Sequence, residues 1–243
     1  MNSPSRDRPD LDPADLARLR EVALFRHVDA DVCAAILGGA RPLPLPRGST
    51  IMTQGAPADA FHVILEGWVK LYRRQPDGGE AVVAVMTAGE SFAEAVMFMG
   101  GRYPVTGEAV SDVRLLRIEA ATLRTAIRAD GRVAIALLAS IAHHTEVLSE
   151  HVEAIKALSA PQRVADFVVD LARRTFGRDV AGRLALKLPY DKALIARRLG
   201  MTPESFSRAL VTLREAGVKV SRDAVTIADL DRLDGYARSG EGA

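Results

Sequence analysis

The chain has 243 residues, 48% hydrophobic and 26% charged, an ordinary balance for a soluble protein long enough for two domains. It contains no run of about 18 apolar residues and starts polar and charged, so neither a membrane span nor a secretory signal is expected and the reading is cytoplasmic. A single cysteine, Cys33, excludes an internal disulfide and cannot alone supply the thiolates of an iron–sulfur cluster.

Residues 1–14, rich in Ser, Pro, Arg and Asp, are expected to form a disordered tail. From Asp15 to Leu37, apolar positions such as Leu16, Leu19, Val22, Val32 and Ile36 suggest short helices broken around Asp29, with Cys33 as a buried structural residue on that pattern. After a Pro-rich break the texture changes to short apolar runs, among them 61–65, 68–72, 81–85 and 113–118, punctuated by Gly48, Gly55, Gly67, the Pro76-Asp77-Gly78-Gly79 turn, Gly89 and Gly100-Gly101. Many short strands at regular spacing indicate a jelly-roll or barrel rather than a parallel sheet. A β-roll domain is therefore expected over 15–130.

A helix is expected over 131–158. Ile141, Leu148 and Ile155 recur every seven residues, with Leu138, Thr145 and Val152 at the alternate seam positions. Such a stripe needs a partner, and the same helix of a second subunit is the economical one; packing back on its own barrel is the alternative.

The remaining segment, 159–235, reads as a winged helix-turn-helix. An amphipathic helix follows the Ser159-Ala-Pro161 break, and Leu184–Leu188 is a short strand. Two helices then flank a three-residue turn: 191–199, and a second from Pro203 to Gly217 with Phe206, Leu210 and Leu213 inward. Gly200 stops the first, Thr202 caps the second and Pro203 suits its first position. Glu204, Ser207 and Arg208 stand at i, i+3 and i+4 on the opposite face, near the helix N-terminus, where a recognition helix meets base edges. Arg suits guanine, Glu accepts from cytosine N4, and Ser meets a base or phosphate. A solvated helix face is the plainer reading of these three residues alone; the preceding helix and turn favour DNA. Thr202 and Ser205 belong to the same candidate surface. Two strands around Arg222-Asp223 form a wing whose Lys219 and Arg222 are candidate phosphate contacts. Between Arg163 and Arg222 there are 13 Lys+Arg against 6 Asp+Glu, a net +7, so the rest of the chain carries −6 within the overall +1. A basic module on an acidic body suits a phosphate backbone.

This order of a Gly-punctuated barrel, a long helix and a winged helix-turn-helix resembles the Crp/Fnr superfamily of transcription regulators over about residues 20–235. The stretches Ser91–Met99 with Gly100–Val105, and Pro203–Arg208, are most similar to the dissimilatory nitrate respiration regulator branch, which is associated with nitric oxide sensing through haem. The resemblance implies an α+β protein with a double-stranded β-helix of the cyclic-nucleotide-binding type. It also implies a homodimer that binds double-stranded DNA, works with RNA polymerase and is not an enzyme. Glu204, Ser207 and Arg208 match the Glu-x-x-Ser-Arg pattern, which implies a TTGAT-N4-ATCAA operator.

The effector is less determined. Glu94 stands at the glutamate position of the cyclic-AMP site, but Pro104-Val105 replaces its Arg-Ser pair and Arg102 is displaced by two residues, so cyclic AMP is not expected. The N-terminal cysteines of the oxygen-sensing members are missing from this sequence, so no iron–sulfur cluster is expected. Haem is favoured, with its ligand sought among His27, His62, His143, His144 and His151; His62, His144 and His151 are the candidates, alongside Glu94. Met52, Met86, Met97 and Met99 could be second ligands, though core packing explains them more simply. The same regulator without haem, answering to another small molecule or to none, is the alternative. A cupin-like metal enzyme is the remote one, since no His-x-His occurs in the barrel segment.

Overall fold

The computed structural model describes residues 11–26, 28–75, 78–98, 101–177, 179–188, 192–221 and 224–240, with the side chains of residues 17, 21, 144 and 150–156 outside that description. Of the residues singled out above, His27, Pro76, Asp77, Met99, Gly100, Asp191, Arg222 and Asp223 lie outside the described residues. The chain forms two compact units, Met1–Glu146 and Val147–Ala243.

The first unit opens with helices α1 (Pro13–Glu21) and α2 (Ala30–Leu37). Strands follow as β1 (Arg41–Leu45), β2 (Thr50–Met52), β3 (Ala60–Glu66), β4 (Trp68–Arg74), β5 (Glu80–Thr87) and β6 (Ser91–Phe92). A single 3-10 turn at Ala95–Phe98 leads to β7 (Thr106–Ala109), β8 (Val113–Glu119) and helix α3 (Ala120–Ala129). The strands form two antiparallel sheets of order β1-β8-β3-β6 and β2-β7-β4-β5. This is the antiparallel β-roll that the short, Gly-bounded runs predict.

Both faces of β3 are covered, which is why its sequence is nearly continuously apolar. Phe61, Val63 and Leu65 pack with Leu24, Ile36, Leu123, Val133 and Leu137 under a layer of helices. Ile64 points the other way, into a second core between the sheets with Met52, Val69, Leu71, Phe92 and Leu115. Gly67 alone links β3 to β4 at φ +86°, and a Cβ there would stand 2.3 Å from the Asp112 carbonyl oxygen, so only glycine fits.

Helix α1 starts inside the stretch expected to be a tail to residue 14. The Asp12 carboxylate accepts from the Asp15 N–H at 2.8 Å and caps the helix at Pro13. Asp15 itself is only 1% exposed and accepts from Arg114 Nη1 at 2.6 Å, joining α1 to β8. Arg114 Nη2 also reaches Glu66 at 3.1 Å. Cys33 is half-buried against the helix-side core, with burial pushing its thiol pKa up.

Helix α4 (Gly131–Ala157) begins in this unit and ends in the next. Its first turns bury Val133, Ala136 and Leu137 in the helix-side core, so part of the helix does pack on its own β-roll. Leu138 and Leu148, by contrast, are 66% and 65% exposed.

The second unit contains α5 (Ala160–Phe176), β9 (Leu184–Lys187), α6 (Lys192–Arg198), α7 (Pro203–Thr212), β10 (Val218–Val220), β11 (Ala224–Ile227) and α8 (Leu230–Ser239). A capping box between Ser159 and Gln162 starts α5. The strands make an antiparallel sheet of order β10-β11-β9. Two expectations are corrected. Helix α7 ends at Thr212 rather than running to Gly217, because residues 213–217 form successive turns that bring the Val218 N–H to the Leu213 carbonyl at 3.0 Å. The domain also extends beyond residue 235: Asp229 caps α8 through the Asp231 and Arg232 N–H groups, and Arg173 Nη2 bonds Asp234 at 2.9 Å to hold α8 on α5. No helix among the described residues is long and apolar enough to cross a membrane.

Candidate DNA-reading face and sensor core

Helices α6 and α7 are joined at Gly200, whose φ of +61° turns the chain without the penalty a side chain would bring. Leu194, Ile195 and Ala196 of the first helix and Phe206, Ala209 and Leu210 of the second are buried, which turns the other face of α7 outward. Thr202 caps α7: its Oγ1 accepts from the Ser205 N–H at 3.2 Å, and its hydroxyl donates to Ser205 Oγ at the same distance. Ser205 Oγ in turn accepts from Arg208 Nη2 at 3.3 Å. Thr202 and Ser205, expected at the DNA surface, therefore also brace the arginine.

Glu204, Ser207 and Arg208 are all exposed. The Glu204 carboxyl is held below its usual range, first by its own backbone N–H, then by Thr202 and by the charge of Arg208. At neutral pH it is an acceptor only, the form that complements the cytosine amine. The face thus offers an ionised acceptor and a cationic fork one turn apart.

The wing forms as predicted, with Lys219 opposite Thr226 and Val220 opposite Val225. Lys219 is exposed. The sequence reading missed Lys192, whose Nζ donates to the Ser221 carbonyl at 3.1 Å and ties the start of α6 to the wing turn. Its position at the head of a helix facing a hairpin 29 residues on gave no local signal.

In the β-roll, His62 lies on β3 opposite Phe92 and Arg117 and stacks on the Phe92 ring at 5.2 Å. It is 2% exposed, and its Nδ1 has no hydrogen-bond partner among the described residues. Burial, then the neighbouring Arg117 charge, lowers its pKa to about 4, so the ring is neutral. Glu94 is buried. The residue before it, Ala93, has φ +75°, a left-handed conformation that L side chains rarely adopt. Val105 is buried, Pro104 is exposed, and neither side chain offers a donor. Arg102 donates through Nη1 to the Gly55 carbonyl at 2.7 Å, so its guanidinium is engaged by the backbone. The sequence grouped His62 with His144 and His151; the latter two lie on α4, with side chains outside the described residues. His143 approaches Glu146 at 3.4 Å. Met52 and Met97 are buried in apolar cores, Met86 packs partly buried, and Met99 lies outside the described residues.

Two family models match, the cyclic nucleotide-binding domain over residues 42–130 and the Crp-like helix-turn-helix domain over 162–236. A crystal structure from Ruegeria pomeroyi, described as a candidate cyclic nucleotide binding protein, is 40% identical and covers 93% of this chain and 98% of its own, with a TM-score of 0.81. This is a Crp/Fnr-family transcription regulator. The CRP-like cAMP-activated global transcriptional regulator of Mycobacterium tuberculosis is 28% identical over 221 residues, 90% of this chain and 98% of that protein. The crystal structure of DNR from Pseudomonas aeruginosa is 28% identical, covering 93% and 99%, with a TM-score of 0.53. Similarity of this Crp/Fnr regulator thus extends to cAMP-activated and DNR-type proteins alike, and does not single out the nitric oxide branch. Membership carries DNA binding and dimer formation and sets the chain among regulators rather than enzymes.

Proposed function

We propose that this Crp/Fnr regulator acts as a homodimer that reads a TTGAT-N4-ATCAA-like palindrome and relays an effector signal from its β-roll to RNA polymerase. The observation that carries the reading is the outward face of α7, where Glu204, Ser207 and Arg208 lie together on a helix capped by Thr202. Arg208 suits the half-site guanine and Glu204 the cytosine paired with a guanine. Fluorescence anisotropy on a duplex carrying the palindrome tests this. Binding should weaken by roughly 1–3 kcal/mol when the guanine of each half-site is replaced. Equal affinity for a scrambled duplex would end the proposal.

Haem held through His62, with nitric oxide as its signal, is the favoured effector. A buried, neutral imidazole with an unpartnered Nδ1 has the chemistry of an iron donor. Bound haem would supply an iron able to take a diatomic gas. His62 would hold it, and the apolar wall around Ile64 and Phe92 would keep water away. One observation favours the alternative, a regulator answering to another small molecule or none. Met52, Val69, Leu71, Phe92 and Leu115 fill the space between the sheets, and a macrocycle would have to displace them. An absorption spectrum after haem reconstitution, in wild type and His62→Ala, separates the two. A stoichiometric Soret band that shifts with nitric oxide and is lost in the variant supports haem. Weak binding indifferent to the variant leaves the DNA-reading proposal intact and removes haem.

A further inference from the structure

Arg208 and Glu204 account for guanine and cytosine, but the A·T pairs of the proposed half-site are left to the short hydroxyl of Ser207. Asn and Gln, which pair bidentately with adenine, do not occur on this helix. Yet the reading face holds one more side chain. With about 100° per residue and Glu204 as the origin, Ser207 stands at about −60°, Arg208 at about +40° and Val211 at about −20°. Val211 therefore lies in the middle of the polar face, one turn beyond Ser207 and Arg208, opposite the buried Phe206, Ala209, Leu210 and Leu213. Its side chain is 56% exposed. Core packing does not require it, and a β-branched residue is a poorer helix former than alanine or lysine at such a site. The spacing 204, 207, 208, 211 is the i, i+3, i+4, i+7 set with which a helix lines a major groove. The apolar group that a base pair presents in that groove is the thymine 5-methyl.

We propose that Val211 is a specificity-determining residue, its isopropyl group packing against the 5-methyl of a thymine in each operator half-site. This rests on the reading of α7 as the base-reading helix. It gives that helix a means of recognising A·T pairs beside the guanine met by Arg208, through shape and apolar contact rather than a bidentate hydrogen-bonding pair.

The test uses the full-length protein and a Val211→Ala variant, which shortens the side chain and favours the helix, so folding is preserved; thermal unfolding checks this. The operator is first selected by the wild type from randomised duplexes. Each thymine of the selected site is then replaced, symmetrically in both half-sites, by deoxyuridine, which lacks only the methyl. For the wild type, one such replacement should weaken binding about fourfold per half-site, the effect of one buried methyl-sized group. Val211→Ala should lose a comparable factor on the thymine duplex and be indifferent to the replacement at that position, keeping wild-type responses elsewhere. Should Val211→Ala discriminate thymine from uracil like the wild type at every position, the proposal falls. It also falls if the wild type is indifferent throughout, or if the selected site has no thymine. A selected sequence other than TTGAT-N4-ATCAA would refute the operator reading alone, with Val211 still judged on the sequence obtained.

Discussion

Arg208 is the residue whose loss should be felt most by DNA. It is exposed, braced by Ser205 and set one turn from the ionised Glu204. Arg208→Ala is expected to cost about 1–3 kcal/mol in operator affinity and to remove preference at the guanine, measured by anisotropy on duplexes varied at that base. His62 offers a different readout. Its folded-state pKa of about 4 lies below its ordinary 6.5, so its contribution to stability is complete above pH 6.5 and is lost as pH falls toward 4. That gap corresponds to ~3 kcal/mol. Urea unfolding of His62→Gln at pH 7, 5.5 and 4.5 should show a flatter acid limb than the wild type; parallel curves would mean that the ring is not buried neutral. The motif residues around Arg208 were legible because cap, turn and face lie within one short stretch. The pair Asp15–Arg114 was not, since its partners lie 99 positions apart and neither carries a local mark of the other.

Among the elements, α4 separates what pattern tells from what it leaves open. The seven-residue repeat identified the stripe, and the exposure of Leu138 and Leu148 agrees with a surface awaiting a partner. It did not reveal that Val133, Ala136 and Leu137, on the same helix, belong to the core of the β-roll unit. Leu148→Glu should therefore leave the fold intact while weakening the dimer, because it places a charge in the seam without touching the core. Sedimentation should show a shift toward monomer, and operator affinity should fall with it; an unchanged dimer would place the seam elsewhere. Helices α3 and α8 escaped notice because each is only ten residues long and buries three positions, two of α3's and one of α8's being alanines that do not mark a core by themselves. The Asp229 cap was present in the sequence, but the strand pattern before it drew the reading toward a wing and an ending.

For the molecule as a whole, charge is divided as its work is. The +7 between Arg163 and Arg222 meets a polyanion, while the remaining −6 is shared equally, −3 in residues 1–162 and −3 in residues 223–243. Binding should therefore fall steeply with salt. Lys219→Ala, on the exposed wing strand, should lower the slope of log affinity against log salt by about 1 per subunit while leaving sequence preference unchanged. A slope equal to wild type would remove Lys219 from the phosphate contacts.

Helix α4 is also a single continuous rod of 27 residues shared by both units. A rod of this kind transmits phase as well as distance. One residue inserted after Glu146 turns everything beyond it by about 100° and advances it by about 1.5 Å, whereas seven inserted residues return it to within about 20° of its starting azimuth. Operator binding should then be lost on inserting one residue and substantially regained on inserting seven, with both units folded throughout. The regulator would be tuned like a screw, its register counted in heptads.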